Sequence, residues 1–174
     1  DVMTLRQYER AAKKKGPEKA LKLIWHASRD SARTPVQWSD GAHAGFSQAE
    51  PWFAVNPNYR EVNVRAQEGD PDSLLHFYRK ALRLRKETPA AIDGAYREFY
   101  PRSRSFYAYE RVLGDSRMLV VCSLSEEPSH FRAPRGWALA GLSPALCSYP
   151  DAPLTGDGFD LRPYEARVYA EPHV

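Results

Sequence analysis

Near residue 90 the hydrophobic pattern of this chain changes period, and that change limits it to helices followed by strands. Before it, Leu74, Phe77, Tyr78, Ala81 and Leu84 recur at intervals of three and four, the spacing of one helix face. From Ile92 onward the alternation is by twos. Residues 95–100, 105–112, 117–124, 130–133, 145–149 and 166–170 read as short strands, with 137–142 and 158–161 as further candidates. Many short strands divided by Gly, Pro, Asp and Ser describe an antiparallel sandwich or small barrel. The expected class is α+β, with a module boundary between 88 and 93.

The opening residues predict a helical hairpin. Thr4 with Gln7 three residues on forms a capping box, and Leu5, Tyr8, Ala11 and Ala12 follow at helical spacing. Gly16 ends that helix and Pro17 takes the favoured first position of the next, where Ala20, Leu21, Leu23, Ile24, Trp25 and Ala27 make the apolar stripe. A third helix is predicted after Asp70, Pro71, Asp72 and Ser73. Arg79, Lys80, Arg83, Arg85 and Lys86 crowd its second half, where the dipole favours cations, and Pro89 stops it. The plain reading of those five cations is a solvated face.

Between the hairpin and this helix lies 28–59, SRDSARTPVQWSDGAHAGFSQAEPWFAVNPNY, too rich in Pro, Gly, Asn, Ser and Asp for one regular element. It also carries Trp38, Phe46, Trp52 and Phe53, and a long irregular segment of this kind is usually functional.

With 43% hydrophobic and 27% charged residues, 174 residues suffice for a packed core. A net charge of +3 is too mild for a nucleic-acid surface, and no apolar run approaches a membrane span. Neither partner is expected. Cys122 and Cys147 lack metal-ligand spacing, which fits free thiols in a reducing compartment such as the cytoplasm and predicts no metal or cofactor. The absence of Met at Asp1 fits a piece of something longer or a processed start.

The ordered set SRDSARTPVQWSD, HAGF, EPW, VNPNY and EVNV, then SLLHFYRKALRLRKETP and LRPYEARVY, resembles one branch of the α-amylase superfamily. That branch holds oligo-1,6-glucosidases, related α-glucosidases, dextran glucosidase and trehalose-6-phosphate hydrolase. The usual motif is close to RDNARTPMQWD; Ser31 and Val36 stand where it has Asn and Met. The resemblance implies the end of a (β/α)8 barrel followed by an antiparallel β-sandwich, with 1–90 as the terminal barrel segment and 91–174 as the sandwich. Residues 1–59 would then be the excursion after the eighth barrel strand and 72–86 the eighth helix. Loops after barrel strands lie on the catalytic face.

The same resemblance implies what the chain lacks. The family's nucleophile, acid/base and third aspartate come from barrel strands four, five and seven, and Asp30, Asp40 and Glu50 match none of them. The implied partners are an α-linked gluco-oligosaccharide and an N-terminal barrel portion. Arg33 resembles a residue that helps close the sugar pocket around the nonreducing-end glucose; the structural alternative is that it pins its own loop. Arg29 and Asp30 read as loop-holding groups, and Ser31 removes an amide donor nearby. Trp38, Phe46 and Trp52 are candidate sugar platforms or anchors of the loop, with Trp38 and Phe46 the candidate binding residues. His43 reads as a loop hydrogen-bonder. The competing reading is a stand-alone carbohydrate-binding module, for which Tyr96, Tyr100, Tyr107 and Tyr109 are the available rings.

Overall fold

The computed structural model describes residues 2–25, 28–152 and 156–171. The chain divides into two compact units, Asp1–Asp70 and Pro71–Val174.

In the first unit, helix α1 (Val2–Lys15) and helix α2 (Pro17–Trp25) form the expected hairpin. Gly16 makes the turn at φ +83°, a left-handed conformation that a residue with Cβ adopts at a cost. The expected capping box does not form, because the helix begins at Val2 and Thr4 lies buried inside it. Leu5, Leu21, Leu23 and Trp25 of the expected stripes are exposed, while Ala20 is fully buried. Ala27, the last residue of the expected second stripe, lies outside the described residues. After the irregular stretch comes a short helix that the periodicity did not foresee, α3 (Val64–Glu68).

The second unit opens with α4 (Leu74–Glu87). Ser73 caps it, its hydroxyl accepting from the His76 amide at 3.4 Å. Pro89 ends this helix but also begins another, α5 (Pro89–Asp93), since a proline costs nothing at a first helical position. The expected α4 stripe divides in two. Phe77, Ala81 and Leu84 are half-buried, whereas Leu74, Tyr78 and Leu82 lie exposed on a second line of i, i+4, i+8 spacing.

Strands β1 (Ala95–Phe99), β2 (Phe106–Leu113), β3 (Ser116–Ser123), β5 (Leu146–Cys147) and β7 (Ala166–Glu171) form one antiparallel sheet in the order β1-β2-β3-β7-β5. Strands β4 (Ser129–Arg132) and β6 (Gly158–Leu161) form a second. Alternation sorts the side chains. Ala108, Leu119, Val121 and Tyr169 from the larger sheet meet Phe131, Phe159 and Leu161 from the smaller in one core. On the opposite face Met118 and Val120 pack with Ala91 of α5. Residues 137–142, a candidate strand, are not one. The Trp137 amide donates to Pro134 O and that of Leu142 to Leu139 O, closing turns, and Trp137 and Leu139 plug the core from this loop. At the joint of α5 and β1, a Cβ on Gly94 would sit 2.4 Å from Ala90 O and 2.9 Å from Val112 N, so only glycine fits.

Two buried carboxylates organise the sheets. Glu165 is fully buried. It accepts from Arg167 Nε at 2.8 Å, Arg162 Nε at 3.1 Å and the Arg162 amide at 2.9 Å. Arg167 is also buried and lies over the Phe159 ring at 4.2 Å. Glu110 accepts from the Trp137 indole at 2.7 Å and pairs with Arg97 and Arg117, while Arg117 lies 4.5 Å above the Trp137 ring. Burial pushes the pKa of each carboxylate up, but the donors outweigh it. Glu110 is held below its ordinary value and Glu165 at about 2.

A depressed folded pKa means that Glu165 stabilises the fold fully above the ordinary carboxylate range and loses that contribution as pH falls toward 2. Acid titration of the circular dichroism signal should therefore show stability declining from about pH 5 downward, with Glu165→Gln flattening the slope. Arg167→Met leaves the carboxylate buried without its closest donor and is expected to cost about 3–5 kcal/mol in urea denaturation.

Candidate functional site

The irregular stretch is held as a defined loop by hydrogen bonds among the very residues that make up its motifs. A 3₁₀ turn (Asp30–Ala32) follows Ser28, whose hydroxyl accepts from the Asp30 amide at 3.3 Å. The Arg33 amide donates to Asp30 O at 3.0 Å, which delivers Arg33 at the end of the turn. Downstream, the Gln37 side-chain amide donates to Val62 O, the Val64 amide to Gln37 O at 2.9 Å and the Arg65 amide to Trp38 O at 3.1 Å. PVQW is thereby laced to EVNV.

Asn63 fixes that lacing. It is 4% exposed, accepts from the Ala66 amide at 2.9 Å as N-cap of α3 and donates to Tyr59 O at 2.9 Å. Pro57 begins the 3₁₀ turn Pro57–Arg60 that brings Tyr59 within its reach.

Between Trp38 and Phe46 the chain reverses through three left-handed residues, His43 (φ 51°), Ala44 (φ 57°) and Gly45 (φ 66°). Such backbone costs a residue with Cβ about 1–2 kcal/mol. Here Ala44 is fully buried and its carbonyl accepts from both the Trp38 and Ser39 amides, at 2.9 and 3.0 Å. A Cβ on Gly45 would lie 2.6 Å from Ser39 Oγ. His43 takes part through its backbone, its carbonyl accepting from the Phe46 amide at 3.0 Å.

The loop so held borders an open hollow of about 430 Å³, within the range of small-molecule sites. Arg33, Val36, Phe46, Glu50, Trp52 and Phe53 are among its lining residues. Two of the three sequence candidates, Arg33 and Phe46, thus share one hollow. Trp38 does not line it and is instead tied at both backbone ends, with its ring half-exposed. Asp40 pairs with Arg65 at 3.7 Å on the surface, a contact of small energetic weight. Gln37 and Asn63 were not singled out by sequence reasoning, although both stand inside quoted motifs. Among the described residues, no group of three or more His, Cys, Asp or Glu is placed to hold a metal, and no helix is long and apolar enough to cross a membrane.

Comparison with known proteins assigns the fold and loop to a class. Residues 4–94 match the α-amylase catalytic domain, and the chain belongs to the α-amylase family. Its relatives fall in one branch of that family. The chain is 36% identical to an oligo-1,6-glucosidase of Parageobacillus thermoglucosidasius over 97% of its own length and 31% of the relative's. It is 33% identical to the trehalose-6-phosphate hydrolase of Escherichia coli over 86% of its length and 27% of the relative's. Among solved structures, the trehalulose synthase of Pseudomonas mesoacidophila matches with a TM-score of 0.86 at 36% identity, covering 98% of this chain and 31% of that one. The chain spans about a third of the length of these relatives.

Replacing Asn63 by Ala removes the cap of α3 and the bond to Tyr59 O together. We expect a loss of about 1–3 kcal/mol, with accelerated hydrogen exchange at the Ala66 amide in mass-resolved or NMR measurement. Gly45→Ala should destabilise the same loop by about 1–2 kcal/mol in thermal denaturation.

Proposed function

We propose that this chain is the C-terminal part of a retaining α-glucosidase-type glycoside hydrolase acting on short α-linked gluco-oligosaccharides. In this reading 1–90 is the terminal barrel segment and 91–174 a C-terminal β-sandwich. The observation that carries the reading is the hollow that Arg33 and Phe46 both line, built from the motifs that resemble the oligo-1,6-glucosidase branch. Arg33 makes no side-chain hydrogen bond or ion pair to the described residues, which fits a guanidinium kept for vicinal sugar hydroxyls.

The second apolar line of α4 supports the same reading. A helix that is apolar on two sides stands between two packed layers. Phe77, Ala81 and Leu84 are half-buried, and the exposed Leu74, Tyr78 and Leu82 fit the barrel portion as the second layer. The two sheets sharing one core support the sandwich. Cys122 and Cys147 are free, consistent with a cytoplasmic enzyme.

Catalysis of the retaining kind needs a nucleophilic carboxylate and an acid/base carboxyl roughly 5 Å apart, the latter with a raised pKa. The buried carboxylates of this chain are of the opposite kind: Glu110 and Glu165 are lowered and held by arginines. The catalytic pair belongs to the barrel portion, and residues 28–59 form the pocket rim.

The 174-residue chain alone should hydrolyse neither maltose, isomaltose nor an aryl α-glucoside, and turnover by the pure chain would overturn this reading. In the full-length enzyme, Arg33→Ala is expected to lower kcat/KM by about tenfold or more, and an unchanged value would remove Arg33 from the substrate site. A second reading, a carbohydrate-binding module, draws on the adjoining exposed rings of Tyr96 and Tyr107, whose hydroxyls lie 2.6 Å apart. Sugar binding without hydrolysis by the full-length protein would favour it.

A further inference from the structure

Arg33 lies upstream and Phe46 downstream of one short segment, residues 37–38, and each is tied to it by a constrained path. On the upstream path Pro35 is buried, fixes its own backbone φ and confines Thr34 to extended backbone, so few torsions separate Gln37 from Arg33. The Arg33 amide is itself bound to Asp30 O. On the downstream path the Trp38 and Ser39 amides converge on Ala44 O, and the left-handed turn that follows sets where Phe46 emerges.

The place of both side chains therefore depends on what grips residues 37–38, and that is the turn around Asn63. The Gln37 side-chain amide donates to Val62 O, the Val64 amide to Gln37 O at 2.9 Å and the Arg65 amide to Trp38 O at 3.1 Å. Asn63 presents these three groups together by closing the turn with both ends of its side chain. Its Oδ1 accepts from the Ala66 amide and its Nδ2 donates to Tyr59 O, each at 2.9 Å. Only an amide side chain both accepts and donates from one such planar group. Asn63 is buried and stands outside the lining of the hollow.

Building on the reading of Arg33 above, we propose that Asn63 is a positioning residue. Through residues 37–38 it sets the place of the Arg33 guanidinium relative to Phe46, and it touches no sugar. Its contribution to turnover is carried by Arg33 and exists only while Arg33 is present.

The test is a double-mutant cycle in the full-length enzyme, assayed on an aryl α-glucoside. Asn63→Asp keeps the oxygen that caps α3 but sets a second oxygen against Tyr59 O, so the cap survives while the tie to Tyr59 is lost. It should lower kcat/KM by about tenfold when Arg33 is present and by less than about twofold in the Arg33→Ala background. A merely structural role lowers the folded fraction and costs the same factor in both backgrounds. That result, or no loss from Asn63→Asp, would overturn the proposal while leaving Arg33 in the substrate site. Gln37→Met breaks the side-chain bond to Val62 O with the Asn63 turn intact. It should show the same dependence on Arg33, and equal losses in both backgrounds would again overturn the proposal. An Arg33→Ala enzyme with unchanged kcat/KM would remove the reading of Arg33, and this assignment with it.

Discussion

A carboxylate with none of its surface in water is tolerated only when several donors converge on it, and Glu165 imposes that condition on the whole sheet unit. Its donors come from both ends of the RPYEAR segment: Arg162 before the turn and Arg167 on β7. Arg167 in turn rests on Phe159 of the smaller sheet. One buried ion cluster thus ties the central strand order to the facing sheet, and Tyr169 and Leu161 on either side complete the core. The Glu110 cluster repeats the device nearer the β1 edge, with an indole as one donor. The sheets are registered by charge as well as by apolar alternation.

The loop of the first unit follows a different logic. It has few buried apolar side chains, and its shape comes from backbone groups satisfied in pairs: Gln37 with Val62 and Val64, Trp38 with Ala44 and Arg65, Asn63 with Tyr59 and Ala66. The left-handed turn at His43–Gly45 is held by two amides converging on one buried carbonyl. A loop fixed in this manner keeps Arg33 and Phe46 on one hollow.

Much of this was legible in the sequence where period and punctuation agree. The strands from 95 onward, the break at Gly16–Pro17 and the helix after Ser73 all follow from spacing. The misses have physical causes. Thr4 satisfied the capping pattern, but the helix starts a turn earlier. Trp137 and Leu139 alternate like a strand, yet both point into the core from a turn, with no neighbouring strand to pair with. Helix α3 is too short for any periodicity to register. Glu165 and Arg167 carry charges, which sequence reading places on the surface until their partners are known. At the site, Arg33 and Phe46 were marked by motif, whereas Asn63 works by its position relative to Tyr59 and Ala66.

The passage from α5 into β1 has a wider consequence. At Gly94 the backbone of Ala90 and of Val112 approach from two sides, within 3 Å of where a side chain would begin. A joint so tight admits no side chain, so α5 and the β1–β2 pair keep one fixed spacing. Anyone exchanging the sheets between related proteins would do well to leave α5 and Gly94 attached to β1.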